Sequence, residues 1–224
     1  MLQETASLLG AAPGRLCGLF LLVYLPLLLL TGIPYASKPL RLAIAAIGFT
    51  GFYVALDAVR AGRVPGLPNM LVPWRLPADK LVLLAASGLL PLLCVLLVWW
   101  FDLGWETVDT FLGGPPAADG MGARQQFEFE LAFNLSAMPL LFIQPLCVLY
   151  PWSGSRSLAA NLLAFAANWR WALVLALLSI PIDIGLGAFD PNSLPEMMLS
   201  LLADVAIEIG MSAFTFVLLQ RSLH

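Results

Sequence analysis

Six long runs of apolar residues dominate this chain and constrain its fold more than any other feature of the sequence. A helix that crosses the hydrocarbon core of a bilayer needs about 20 mostly apolar residues. The runs are continuous rather than alternating, which favours helices over the strands of a membrane barrel. The sequence therefore predicts an all-α, polytopic bundle of six transmembrane helices in three hairpins. The spans are predicted near residues 16–33, 40–59, 81–101, 131–150, 169–189 and 197–219.

The composition agrees with a membrane protein and excludes other classes. Of the 224 residues, 60% are apolar and 11% are charged, whereas soluble domains contain about 45–50% apolar and about 25% charged residues. This balance excludes a disordered chain and a nucleic-acid-binding protein. We expect a single transmembrane domain over residues 1–224, with one longer outer loop at residues 102–129. Within that loop, apolar residues at helical spacing between Trp105 and Leu112 predict a short interfacial helix.

The distribution of Lys and Arg sets the expected orientation, because short cytoplasmic loops carry an excess of basic residues. With six spans, both termini lie on one side of the membrane. The basic residues on that side are Arg15, Arg60, Arg63, Arg75, Lys80, Arg156, Arg170 and Arg221, and those on the other side are Lys38, Arg41 and Arg124. This asymmetry predicts that both termini are cytoplasmic.

Residues that commonly perform catalysis or hold cofactors are scarce. The single histidine is His224, so the spans contain no His-ligated haem or zinc and no serine–histidine dyad. Cys17, Cys94 and Cys147 lie in or beside different spans and do not form a disulfide framework. Glycine motifs for phosphate or dinucleotide binding are also missing. The sequence predicts a protein that is not an enzyme, with no catalytic residue, no cofactor and no metal site.

Carboxylates inside the apolar spans are the unusual feature of the second half of the chain. Ionisable groups at depth are costly, and they usually face a bundle interior or a wet cavity. At about 100° per residue, these acids share helix faces with small and polar residues such as Ala176 and Ser179. The predicted site is a patch on facing stripes of spans four, five and six: Glu130, Asn134, Asp183, Asp204 and Glu208. No Lys or Arg is expected at the depth of this patch.

Three interpretations of these acids remain open. In the first, they are protonated or hydrogen-bonded to neighbouring polar side chains, because burial disfavours the ionised form. In the second, Lys or Arg of a partner subunit pairs with them. In the third, they bind a cation or relay protons. Asp57 stands apart, since it lies one turn from Arg60 at the end of span two and is predicted to form an ion pair there.

A basic cluster follows span two. Its members are Arg60, Arg63, Arg75 and Lys80. Basic residues near a membrane surface attract anionic lipid headgroups by about 1 kcal/mol each. The cluster is therefore a candidate headgroup site, and the alternative is that it only sets the topology.

Several short motifs are distributed along the chain. They are Gly18-Leu19-Phe20, Ala58-Val59-Arg60-Ala61-Gly62-Arg63, Phe111-Leu112-Gly113-Gly114-Pro115, Ser157-Leu158 and Asn168-Trp169-Arg170. In these motifs the chain resembles a family of uncharacterised bacterial inner-membrane proteins with six helices and no assigned activity. The resemblance implies the six-helix architecture and a multi-pass location in the bacterial inner membrane. It brings no catalytic residues.

Two classes of function follow. The first is a non-catalytic accessory or scaffolding subunit of a larger membrane complex, because the loops are short and the buried acids offer sites for a partner's basic residues. The alternative is a small ion- or proton-coupled transporter that uses Asp183, Asp204 and Glu208. The expected partners are the lipid bilayer and either another membrane protein or further copies of the chain, with no nucleic acid.

Overall fold

The protein is all-helical, as its continuous apolar runs predict. The computed structural model describes residues 1–28, 30, 35–113, 123–187 and 193–223, and these contain no β-strand. The α-helices are α1 (Leu2–Ala11), α2 (Pro13–Leu28), α3 (Ser37–Arg60), α4 (Leu67–Leu71), α5 (Ala78–Asp102), α6 (Trp105–Leu112), α7 (Ala123–Ala137), α8 (Ile143–Leu149), α9 (Gly154–Gly187) and α10 (Leu194–Ser222).

Five helical segments of the described chain are long and apolar enough to cross a membrane. They are Ser37–Arg60, Ala78–Asp102, Arg124–Leu149, Gly154–Ile182 and Met198–Ser222. A sixth span requires α1 and α2 to be taken together, although their axes differ by 84°. Pro13 opens α2 and has no backbone N–H, so it does not continue the hydrogen bonding of α1. The multi-pass character of the chain is therefore confirmed, with five or six spans.

Six helices form a closed ring. α2, α3, α5, α7, α9 and α10 pack in this order, each against the next, and α10 closes the ring against α2. We call the end of the ring at which α3, α7 and α10 begin the apical end. The opposite end, at which α5 begins and α3 and α10 finish, is the basal end. α6 packs on α5 at the apical end, and α1 packs beside α10 at the basal end.

Small residues allow α3 to approach its neighbours closely. A Cβ atom placed on Gly88 of α5 would lie 2.4 Å from the carbonyl oxygen of Leu42, and one on Gly48 would lie 2.7 Å from Val23 Cγ1. Between membrane helices, such contacts take the place of the hydrophobic effect, because lipid is as apolar as the helices themselves. These two glycines fix the distances of α3 from α5 and from α2.

The outer face of the ring is apolar and its inner face contains the polar groups. On α9, Val174, Leu177 and Leu178 are each about half exposed, whereas Ala176 and Ser179 are buried. The predicted stripe of small and polar residues on span five therefore faces the bundle and not the lipid side. This arrangement is expected of a membrane protein, whose outer surface contacts hydrocarbon.

The basal half of the ring is filled by α8. The side chains of Phe142, Ile143, Leu146 and Cys147 are fully buried there. Phe142 and Leu146 pack with Ala164 and with the end of α10, and Ile143 packs with Leu84 of α5. The first half of α9 lies against α8 on this side.

Asn161 on α9 replaces backbone hydrogen bonds that are broken between α7 and α8. The chain there forms a short 3-10 helix, Met138–Leu140, and proline at 139 and 145 removes two N–H donors. Asn161 Oδ1 accepts a hydrogen bond from the Phe142 N–H at 3.0 Å, and its Nδ2 donates to the Pro139 carbonyl at 2.6 Å. Because Asn161 is fully buried, this amide stabilises the break inside the bundle.

Two helices differ from the predicted boundaries. α7 begins at residue 123, inside the predicted outer loop, because the polar residues 123–130 extend the helix beyond the apolar run. α9 begins at Gly154, well before the fifth span predicted near residues 169–189, and its helical geometry is interrupted at Asn168 (φ −121°, ψ 16°). The predicted short helix in the outer loop is present as α6. The rest of that loop, residues 114–122, lies outside the described residues.

Candidate functional site

A cavity of about 370 Å³ lies on the axis of the ring in its apical half. Every helix of the ring contributes to its wall. The polar and charged residues that line it are Tyr24 of α2, Lys38 and Arg41 of α3, Glu130 and Asn134 of α7, Ser179 of α9 and Glu208 of α10. We call this cavity the axial pocket. It lies above the packed region that α8 occupies.

The two acids of α10, Glu208 and Asp204, differ in their position relative to the pocket. Glu208 lines it directly. Asp204, one turn closer to the start of α10, accepts a hydrogen bond from the Tyr24 hydroxyl, and the Tyr24 side chain itself lines the pocket. The predicted common face of Asp204 and Glu208 therefore points towards α2 and the axis of the ring.

The polar pair of α7 also faces the pocket. Asn134 Nδ2 donates to the Glu130 carbonyl oxygen at 2.9 Å and lies 3.4 Å from Glu130 Oε2. Both side chains line the cavity together with Ser179 and Glu208. The structure thus brings predicted site residues from spans four and six into one cavity. Asp183 belongs to α9, but its side chain lies outside the part of the chain that the structure describes.

Two basic residues share the pocket with these acids, contrary to the expectation that the patch has no counter-charge in the chain. Lys38 and Arg41 enter from the first turns of α3. The Arg41 guanidinium interacts electrostatically with the Tyr24 phenol, and Tyr24 in turn interacts with Glu208. The expectation rested on depth along the spans alone, and depth does not show which helices face one another. Ring closure places α3 and α2 opposite those helices.

The two cations of α3 differ in their surroundings. The Lys38 ammonium donates to the Phe111 carbonyl oxygen and lies 3.4 Å from the centroid of the Phe111 ring. Arg41 is partly buried and has no ion pair within the described residues. Of the two side chains, Lys38 is therefore the one held by contacts with α6.

α6 forms the apical part of the wall. Phe111 lines the pocket and packs edge-to-face on Trp99, with 5.1 Å between ring centroids. The helix is tied to the start of α3, because the Tyr35 N–H donates to the Leu112 carbonyl oxygen at 2.9 Å. The negative charge of Asp109, to which the Tyr35 hydroxyl is also hydrogen-bonded, raises the pKa of that phenol. These contacts hold α6 next to the pocket.

The predicted basic cluster is divided between different roles. Arg63 pairs with Asp57 at 3.5 Å, whereas Arg60, which was predicted to pair with Asp57, donates to Gln220. Arg75 is exposed. Lys80 is only 5% exposed and donates to the carbonyl oxygens of Cys147 at 2.6 Å and Tyr150 at 2.8 Å. Lys80 thus caps the end of α8 and is not directed at the surface.

The described residues offer few groups for metal binding or redox chemistry. No three His, Cys, Asp or Glu side chains are grouped there in a way that would hold a metal ion. The three cysteines are free thiols, with Cys17 and Cys94 exposed and Cys147 buried. The axial pocket is the cavity in which carboxylates of α7 and α10 face basic residues of α3.

The residues that sequence reasoning missed are those of the first two ring helices. Lys38 and Arg41 carried a signal, since both are charged and lie at the margin of an apolar run, and Tyr24 carries a hydroxyl inside another such run. Comparison with known proteins adds no assignment, because no family model, no curated protein and no solved structure matches the chain.

Proposed function

We propose that this protein is a small, non-catalytic transporter of the bacterial inner membrane, with both termini cytoplasmic, and that the axial pocket is its solute site. The observation that carries the proposal is the convergence of Arg41, Glu130 and Glu208 from three ring helices on one cavity. Charged side chains inside a membrane bundle are costly, and they mark substrate or ion pathways in membrane proteins.

The size and position of the pocket support this function. Ligand sites in proteins have volumes of about 300–1,000 Å³ and apolar walls with a few polar groups. The axial pocket, at about 370 Å³, falls in this range, and its wall includes both phenyl rings and charged groups. Substrate sites of transporters lie near the middle of the membrane, and access alternates between the two sides. The packed region around α8 would close the basal side in this state.

The accessory-subunit hypothesis receives less support from the same geometry. Its main argument was that a partner's Lys or Arg would satisfy the buried acids. Within the chain, Tyr24 already donates to Asp204, and Asn134 lies beside Glu130. These acids face the axis of the ring, where a side chain from a neighbouring protein in the lipid would not reach them. A stoichiometric partner in native membranes remains the observation that would favour this alternative.

The test is uptake of radiolabelled solutes into proteoliposomes, with solute-induced current measured on a solid-supported membrane to detect coupled charge movement. The panel contains an amino acid, an organic ammonium ion, a carboxylate, an inorganic cation and a sugar, each applied over a pH gradient. We expect saturable uptake of at least one solute, lost in Glu208→Gln and retained in Glu106→Gln, whose side chain is exposed on α6. A folded, monodisperse protein that gives neither uptake nor current with any solute would overturn the proposal.

A further inference from the structure

The charges of the axial pocket are separated along its depth. Arg41 lies four residues from the start of α3, about 6 Å along the helix, whereas Glu208 lies 14 residues from the start of α10, about 21 Å along that helix. Glu130 is seven residues into α7, or about 10 Å. By these distances the cations lie near the apical mouth of the pocket, Glu130 lies just below them, and the Glu208 carboxylate is the deepest charge.

Aromatic side chains surround the carboxylates. Phe49, Phe129 and Phe133 line the pocket together with Tyr24 and Phe111. The rings of Phe129 and Phe133 are stacked with 5.6 Å between their centroids, and they flank Glu130 in sequence and on α7. Aromatic faces next to a carboxylate attract organic ammonium groups by cation–π interaction. A hard metal cation is bound through oxygen ligands alone, so it would gain nothing from the phenyl rings that make up much of this wall.

The Arg41 guanidinium near the mouth is suited to an oxyanion. Guanidinium groups bind carboxylate and phosphate with two parallel hydrogen bonds. Arg41 has no ion pair within the described residues, and Lys38, held by Phe111, adds positive charge beside it. The pocket has room for about twelve water-sized groups at about 30 Å³ each. This volume fits a compact molecule and excludes a complete phospholipid.

We propose that the axial pocket binds a small zwitterion. An organic ammonium group is held deep in the pocket by Glu130, Glu208 and the aromatic rings, and a carboxylate or phosphate group is held near the mouth by Arg41. This inference rests on the proposed function and names its substrate class. The zwitterion has two possible sources, a free solute or the headgroup of a lipid, and both present the same chemistry to the pocket.

Calorimetry on the full chain in a maltoside detergent tests the proposal. The probes are glycine betaine and phosphocholine, with tetramethylammonium and acetate as matched probes of a single charge. We expect each zwitterion to bind at least ten-fold more tightly than either single-charge probe. Glu208→Gln and Arg41→Gln should each weaken zwitterion binding at least ten-fold, whereas Arg41→Lys should restore part of it and Glu106→Gln should change nothing.

Nanodiscs distinguish the two sources. Betaine affinity is measured in phosphatidylcholine discs and in phosphatidylglycerol discs. Equal affinity supports a free solute as the ligand, and several-fold weaker binding in phosphatidylcholine supports competition by a lipid headgroup.

Two results would overturn the zwitterion proposal. One is the absence of zwitterion binding by a folded protein, and the other is binding of tetramethylammonium or acetate as tight as that of betaine. The proteoliposome assay with the solute panel shows whether only the zwitterion proposal fails or the proposed transport function fails as well. Saturable uptake of another solute class would leave the transporter in place, whereas a silent panel together with absent binding would overturn both.

Discussion

The apical and basal halves of the helix ring differ in the surroundings of their polar side chains. In the basal half, Lys80 and Asn161 are buried and donate to backbone carbonyls of the α7–α8 region. In the apical half, Arg41, Glu130 and Glu208 line a cavity. A polar group whose hydrogen bonds are completed by the backbone stabilises a fold, whereas charged groups that face a cavity inside a membrane bundle are candidates for a solute site. The comparison therefore distinguishes polar residues held by the backbone from those that line the axial pocket.

The largest effect is expected from Asn161→Leu in the basal half. The substitution leaves the Phe142 N–H and the Pro139 carbonyl buried without their partner, and each such group costs about 1–3 kcal/mol. We expect the free energy of unfolding in detergent to fall by about 2–4 kcal/mol. Asn161→Asp keeps the acceptor and should cost less. Equal stability of Asn161→Leu and the wild type would show that the basal half is not held by this amide.

Gly88→Ala should have the next largest effect. Its new methyl group would meet the Leu42 carbonyl oxygen, so α3 and α5 must separate, at a cost of about 2–3 kcal/mol. Because Leu42 lines the axial pocket, the same change should also weaken solute binding. Gly210→Ala is the matched control, since nothing lies within 4 Å of its Cβ position. Thermal melting of both variants in one detergent decides whether the close approach matters.

Ala176→Leu tests the packing face of α9. Ala176 is 7% exposed, and a larger side chain there should overpack the interior by about 1–2 kcal/mol. Val174→Leu lies on the outer face, where the side chain is 51% exposed, and it should be nearly neutral. Melting temperatures that fall equally for the two variants would mean that α9 is rotated relative to the described structure.

Substitution of Tyr by Phe at two positions compares the cost of losing a hydroxyl at the axial pocket with the cost of losing one in the packed interior. Tyr24→Phe removes the hydrogen bond to Asp204 at the pocket, and Tyr53→Phe removes one to Ser212 in the packed interior. Asp204 is only partly buried and can be hydrated once the phenol is lost, so we expect a loss below about 1 kcal/mol for Tyr24→Phe and about 1–1.5 kcal/mol for Tyr53→Phe. Chemical denaturation should give this order. The reverse order would indicate that the axial pocket is dry.

Single-cysteine variants should have the smallest effect on stability. Their labelling tests directly whether the axial pocket is accessible to solvent. In a variant without Cys17, Cys94 and Cys147, we expect Ala45→Cys to react with a membrane-impermeant thiosulfonate added from the periplasmic side, because residue 45 lines the pocket. Ala55→Cys, fully buried on the basal part of α3, should stay unlabelled. Labelling of residue 45 only from the cytoplasmic side would reverse the expected orientation.

Much of the architecture could be predicted from local sequence. The apolar runs required helices, since a backbone inside hydrocarbon must satisfy its own hydrogen bonds. The spacing of Trp105 and Leu112 located α6, and the stripe with Ala176 located the inner face of α9. The continuation of α9 back to Gly154 was missed, because a polar residue such as Asn161 resembles a surface position until its buried partners are known.

By itself, the sequence determined the membrane-protein class, the helical fold and the acids of the candidate site, because hydropathy and helical periodicity are local properties. Only the tertiary structure decided which charges share a cavity. Arg41 and Glu208 are 167 positions apart in the numbering, and they line the same pocket because α10 closes the ring against α2. No periodicity within one helix encodes that closure, since it depends on packing between helices distant in sequence. The role of Lys80 was decided in the same way, because its two carbonyl partners become neighbours only when α8 fills the basal half of the ring.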